Sequence, residues 1–307
     1  MDAPATAFSF APIQTLQHDR ARQIRTVIQP AAPHPVGAPE PPATAAADYC
    51  LAHHVLEGAE AAARVRDTAT FDWYATHPDA DVATLSAPTA VGPRIVVAPD
   101  LDSLPRSAIS ETPYYVLGPD STSAPADLRE LAAAAYATGA RSGFAELLAA
   151  HAVVLVLLRH KQLGDTLDSW TITRLPGTVF CDHVGEPVVL GRDLIHEAGH
   201  NWLNDALAAT ATKLSDEARF LSPWKKTMRP AFGFLHACWA FPLTMLYTAR
   251  VLPQTSGAVH RFLAAYLDQQ RDLLATTTDD HTRALDLIPD TGLRQRLHAV
   301  HHEALSL

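Results

Sequence analysis

The sequence predicts an α+β protein, mostly helical with a small sheet. Windows rich in Ala and Leu with helical spacing recur along its 307 residues. Short β-branched and aromatic runs bounded by turn residues appear only a few times. A helical window near 191–209 is followed, after a turn-rich break, by a second near 231–251 that can return antiparallel beside it.

In order, 13–29 (IQTLQHDRARQIRTVIQ) reads as a helix. The Pro- and Ala-rich stretch 30–46 reads as an extended loop, because proline removes amide donors and restricts φ. Residues 48–67 suit a helix, and RIVVAP (94–99) and PYYVLG (113–118) suit strands. Two helices are expected at 126–138 and 141–162, the second including the apolar run 145–158 as a buried core helix. Residues 169–182 alternate like a strand broken at Pro176-Gly177. The helix at 191–209, a loop at 221–230 and the helix at 231–251 follow, and further helices are expected at 256–277 and 291–306. The chain divides on this reading into a mostly helical region, 1–165, available for substrate recognition, and a metal-binding catalytic region, 166–307.

Composition narrows the function classes. Hydrophobic residues are 48%, charged residues 19% and the formal net charge is −9, an ordinary globular balance with no Lys/Arg block, so no nucleic-acid partner is expected. Three cysteines without C-x-x-C spacing fit a reducing compartment. The first residues, MDAPATAFSF, lack the basic and apolar regions of a secretory signal, and no apolar run is long enough for a bilayer. The expected location is the cytoplasm, with no membrane partner.

The chemistry concentrates in DLIHEAGHNWLNDAL, residues 193–207. A helix turns 100° per residue, so His196 and His200 present both imidazoles to one ion, and Asn204 continues the same stripe. Glu197 lies beside that stripe. Two imidazoles need a third protein ligand. The extended zinc-protease pattern fails, with Leu203 for Gly and Ala206 for His, and beyond Asp216-Glu217 no acidic residue occurs until Asp268. The best third candidate is His236, on the returning helix. His183 is a further candidate for lining the site. His53-His54, His160, His298 and His301-His302 read as surface residues, and Cys238 as core.

Three linked motifs, HEAGHNWLN (196–204), SPWKKTMRP (222–230) and GFLHACWAF (233–241), resemble the H-E-x-x-H peptide-modification family found with ribosomally made natural products. The shared positions are His196, Glu197, His200, Leu203, Asn204, Ser222, Pro223, Trp224, Arg229, Pro230, Gly233, Leu235, His236, Ala240 and Phe241, within 194–241. Lys225 stands where the family has Arg, Thr227-Met228 where it has Asp-Pro, and Trp202 where a Lys is common. The resemblance implies a non-haem Fe(II) oxygenase that uses 2-oxoglutarate and O₂ to hydroxylate the β-carbon of an Asp-like side chain. Its substrate would be a precursor peptide, with a separate leader-binding protein as a further possible partner.

On that reading His196, His200 and His236 hold iron, and Glu197 accepts a proton or steers substrate. Arg229 clamps the distal carboxylate of 2-oxoglutarate, with Lys225 as second choice, because a guanidinium fork matches a carboxylate. Trp224 forms a wall, and Asn204 bonds the co-substrate or a metal-bound water. Two rivals remain: a zinc metallopeptidase with Glu197 as general base, and a non-catalytic peptide-binding partner with a structural metal.

Overall fold

The computed structural model describes residues 7–29, 42–80, 82–107 and 111–307. The chain runs through helices α1 (Ala11–Ile28), α2 (Pro42–Val65), α3 (Thr68–Thr76) and the short α4 (Val82–Leu85). Strands β1 (Ser86–Ala87) and β2 (Arg94–Val97) precede helices α5 (Ala126–Gly139) and α6 (Ala145–His151). Next come strands β3 (Val154–His160), β4 (Ser169–Trp170) and β5 (Thr178–His183), then the motif helix α7 (Pro187–Ala209). A hairpin of β6 (Arg219–Ser222) and β7 (Thr227–Pro230) leads to α8 (Ala231–Val251), α9 (Gly257–Ala275), α10 (Thr278–Leu285) and α11 (Thr291–Leu305). The protein is α+β, mostly helical with a small mixed sheet.

That sheet has the order β1-β2-β3-β5-β4, with β2, β3 and β5 parallel and the short edge strands antiparallel. The boundary expected at residue 165 falls between strands of this one sheet. Both faces of its centre are covered. Val96, Leu155, Leu157, Val179 and Cys181 face the core shared with α7 and α8. Ile95, Val97, Val154, Val156 and Phe180 face Cys50, Leu51 and Leu117.

This double burial corrects the helix expected over 141–162. The helix ends at His151, and Val154–His160 is the central strand β3. A parallel strand buried on both faces reads as a continuous apolar run, as a core helix does, so periodicity does not separate them. The strand expected at 113–118 is also corrected: it forms only an isolated bridge at Pro113. Side chains take its backbone groups instead. Tyr74 donates its hydroxyl to Leu117 O at 2.8 Å, and the Leu117 amide donates to His54 Nδ1 at 3.2 Å. The expected loop at 221–230 is largely hairpin. Of the expected extended stretch 30–46, residues 30–41 lie outside the described residues, and from Pro42 the chain is already helical. Proline suits a helix's first turn, where its missing N–H goes unused. Helices α3 and α10 were not anticipated.

Two histidines expected at the surface are buried, His54 at 0% and His301 at 3% exposure. With Leu117 donating to Nδ1, His54 donates from Nε2 to Thr178 Oγ1 at 2.9 Å. His301 stacks on buried His281, ring centroids 3.9 Å apart, and its Nε2 meets Thr277 Oγ1 at 3.0 Å. Burial pushes the His54 imidazole down to about 3 and His301 to about 4, and His281 is also lowered. Each stays neutral when folded and takes up a proton below about 6.5 when unfolded. The contribution of these three histidines to folding stability is therefore expected to be full above about pH 6.5 and to fall as pH drops toward 4. Urea midpoints at pH 7.5 and 5 check this; equal midpoints would contradict it.

A Cβ on Gly58 would lie inside the ring of Tyr74. That ring is 4% exposed and tethered through its hydroxyl to Leu117 O, so it has little room to yield. Gly58→Ala, which would gain up to about 1 kcal/mol in an unhindered helix, is expected to lose about 1–3 kcal/mol from overpacking. A denaturation midpoint at or above wild type would refute it.

Candidate metal centre

Helix α7 starts with Pro187 in its first turn, directly after β5, and is buried along most of its length. It lies antiparallel to α8. Going forward along α8, Trp239 donates from Nε1 to Gly199 O at 3.0 Å, and Tyr247 donates to Val188 O at 3.0 Å. Trp202 and Trp239 stack between the helices, centroids 4.6 Å apart. Gly199 permits this approach: a Cβ there would meet Leu243 Cδ1 at 2.9 Å.

A buried polar stripe fixes the rotation of α7. Asp193, Glu197, Asn201 and Asp205 recur every fourth residue, all buried. Asp193 pairs with Arg192 at 2.7 Å, and that guanidinium lies over the Tyr266 ring. Glu197 Oε1 accepts from Ser169 Oγ on β4 at 2.6 Å. Asn201 Nδ2 donates to the carbonyls of His151 and Thr178. Asp205 accepts from Gln17 Nε2 at 3.0 Å and Tyr49 OH at 3.4 Å, and meets His151 Nδ1 at 3.4 Å. A rotation of α7 would strand every one of these groups in the core, at about 1–3 kcal/mol each.

With α7 held so, the adjoining stripe presents His196, His200 and Asn204. His196 Nε2 and His200 Nε2 are 3.1 Å apart, and His200 Nδ1 lies 2.9 Å from His236 Nδ1. The imidazoles thus form a row, with His200 between the other two and both its nitrogens engaged. Among the described residues, His196, Glu197 and His200 form the group whose potential ligand atoms all lie within 4.8 Å of one another. His236, expected as the third ligand, meets the far nitrogen of His200 instead of joining that group directly. Lys225 is on the exposed turn of the hairpin. Trp224 stacks on Phe241 at 4.6 Å and donates from Nε1 to Gln270 Oε1 at 2.7 Å. Phe241 in turn meets His196 in an edge contact, ring centroids 4.9 Å apart, so its ring links Trp224 to the row. His183 pairs in register with His160 on β3, their rings 5.5 Å apart, and is not part of the group.

Arg229 lies on β7 opposite Phe220, its guanidinium about 3 Å from where a Gly233 Cβ would stand. It lines a cavity of about 340 Å³ with Leu207, Asp216, Phe232 and Gly233. Phe232 is 4.3 Å from the His236 ring. A larger cavity of about 430 Å³, between Phe8, Phe10, Ile13 and Ala149, contains none of the expected site residues. Size alone would therefore point away from the imidazoles.

Burial keeps the imidazoles unprotonated. Burial, then the neighbouring imidazoles, hold His196 well below the usual imidazole range; burial and the Arg229 charge bring His200 down to about 4. Burial, His200 and Arg229 do the same for His236. All three are neutral at pH 7, the form that ligates metal. Burial pushes the Glu197 carboxyl up to about 8, against the lowering effect of the Ser169 hydrogen bond. Of the expected site residues, Glu197 Oε2, His236 Nε2 and Asn204 Oδ1 are buried without a hydrogen-bond partner. Two imidazole nitrogens each about 2.1 Å from one ion stand about 3 Å apart when cis, the spacing His196 and His200 already have. The residues present fit a divalent metal.

Neither a protein-family model nor a curated protein matches the chain. The likeness carried by 194–241 rests on those residues. Sequence reasoning missed Ser169 as the partner of Glu197 and Phe232 beside His236. Ser169 leaves no signal, because its proximity comes from sheet pairing; Phe232, four residues before His236, was readable from helical spacing.

Proposed function

We propose that this protein is an Fe(II)- and 2-oxoglutarate-dependent hydroxylase of a side-chain β-carbon in a ribosomally made precursor peptide. The observation that carries the reading is the row of three neutral imidazoles with the Arg229 charge beside it. His196 and His200 would hold the ion through the nitrogens that already face each other, and His236, whose Nε2 has no partner, is the proposed third ligand, which requires its ring to turn from the far side of His200. When bound, ferrous iron activates dioxygen while 2-oxoglutarate supplies two electrons and leaves as succinate and carbon dioxide.

The remaining residues bind and orient. Arg229 holds the distal carboxylate of the keto acid, in a cavity too narrow for a folded partner but ample for a small dicarboxylate. Phe241, backed by Trp224, screens His196 from water. Asn204 Oδ1 accepts from a bound water or from substrate. Glu197, anchored by Ser169, keeps one oxygen toward the ligand row and holds the proton state there. Lys225, on the exposed turn, serves as an outer contact for an acidic group. Free, buried Cys50, Cys181 and Cys238 support a reducing, cytoplasmic setting, and among the described residues no helix is long and apolar enough to cross a membrane.

The deciding experiment is co-expression with the peptide encoded beside its gene, followed by mass spectrometry and metal analysis. The expected product gains one oxygen atom per peptide, with one succinate released, only when iron, 2-oxoglutarate and oxygen are all present. Cleaved peptide without oxygen would replace this reading with a zinc metallopeptidase. Bound metal without turnover would leave a non-catalytic peptide-binding partner.

A further inference from the structure

The β6–β7 hairpin carries a surface that the metal centre does not use. Register pairs Phe220 with Arg229 and Leu221 with Met228. Phe220 and Arg229 lie on the inner face, where Phe220 stacks on Phe234 at 5.2 Å. Leu221 and Met228 share the outer face, 53% and 52% exposed. Strand alternation ordinarily puts polar side chains on a solvent face, yet here an apolar cross-strand pair faces water. Phe232, 44% exposed, continues the apolar surface to the cavity beside His236.

Cations frame this pair. Arg219 opens β6, and Lys225 and Lys226 form its turn with Lys226 in the left-handed region at φ 53°. No acidic residue occurs from 218 to 267 in a chain whose net charge is −9. Elsewhere Arg22, Arg64, Arg174, Arg192 and Arg283 pair with carboxylates. Among the described residues Arg219, Lys225, Lys226 and Arg229 have no such partner; Arg219 donates instead to Met228 O at 2.9 Å. Neither hairpin strand pairs with a third described strand, so each keeps one open edge.

We infer that this hairpin docks an extended acidic peptide segment with apolar side chains at alternate positions. Carboxylates meet the turn cations Lys225 and Lys226, apolar side chains share the outer face with Leu221 and Met228, and the chain continues past Phe232 toward the cavity. An added strand would supply main-chain hydrogen bonds at the open edge. The inference deepens the hydroxylase reading, and rests on it for the docked peptide being the substrate.

The test uses the full chain without added metal, 2-oxoglutarate or oxygen, and a fluorescein-labelled peptide of alternating Glu and Val read by anisotropy. The Glu-Val peptide is expected to bind, and to weaken with salt as exposed charge pairs do, while its Lys-Val counterpart does not bind. Lys225→Glu with Lys226→Glu, at exposed positions, is expected to weaken binding at least about tenfold. Leu221→Thr with Met228→Thr, which keeps strand propensity, is expected to weaken it as well. Equal binding of both peptides, unchanged affinity in the charge-reversed variant, or equal competition by polyphosphate or RNA would overturn the assignment. So would a dimer in sedimentation that Leu221→Thr dissolves, because a second copy would then be the occupant. Binding is read without turnover, so failure of the hydroxylase assay and failure of docking are separate results.

Discussion

His200→Ala is expected to abolish stoichiometric ferrous binding, a loss well beyond the roughly 10–100-fold typical of residues that only support a ligand. His200 contacts both other imidazoles, at 3.1 and 2.9 Å, so its removal deletes one donor and leaves two buried rings unpartnered. Anaerobic titration with Fe(II), read by metal analysis after desalting, measures it. His236→Ala is expected to fall nearly as far. Full iron occupancy in His236→Ala would show that His236 only orients the His200 ring, and the ligand set would then be His196, His200 and Glu197, the group already within 4.8 Å. Full occupancy in His200→Ala would remove the metal centre from this helix.

Arg229→Ala is expected to raise the 2-oxoglutarate concentration needed for half-maximal succinate release by about 10–100-fold, matching about 1.5–3 kcal/mol for a hydrogen bond to a charged group. Peptide affinity should change far less. The guanidinium is half-buried, lines the small cavity and acts electrostatically on His200 and His236. Arg229→Lys should recover only part of the loss, since an ammonium keeps the charge and loses the planar fork. An unchanged co-substrate titration in Arg229→Ala would end its assignment as the carboxylate clamp.

The helix pair could be read before any coordinates. His196 and His200 four residues apart, proline at the start of α7, and an apolar α8 after a break of about twenty residues suffice to set two helices side by side, because local spacing and amphipathic burial determine such elements. Where the residues in between go was less legible. The 221–230 segment looks like a loop by its Pro and Lys content, yet pairs as a hairpin that turns Arg229 inward and Leu221 and Met228 outward.

Residue types and spacing alone determined that this protein is α+β, that one helix face gathers His196, His200 and Asn204, and that His236 lies on the neighbouring helix. Tertiary structure decided the rest. It made 154–160 a central strand, buried His54 and His301, brought Ser169 to Glu197 and set His236 on the far side of His200. The reason is physical: a helix face follows from bonds between near neighbours, whereas a strand's partners, a histidine's burial and the order of three rings depend on how distant segments share one core.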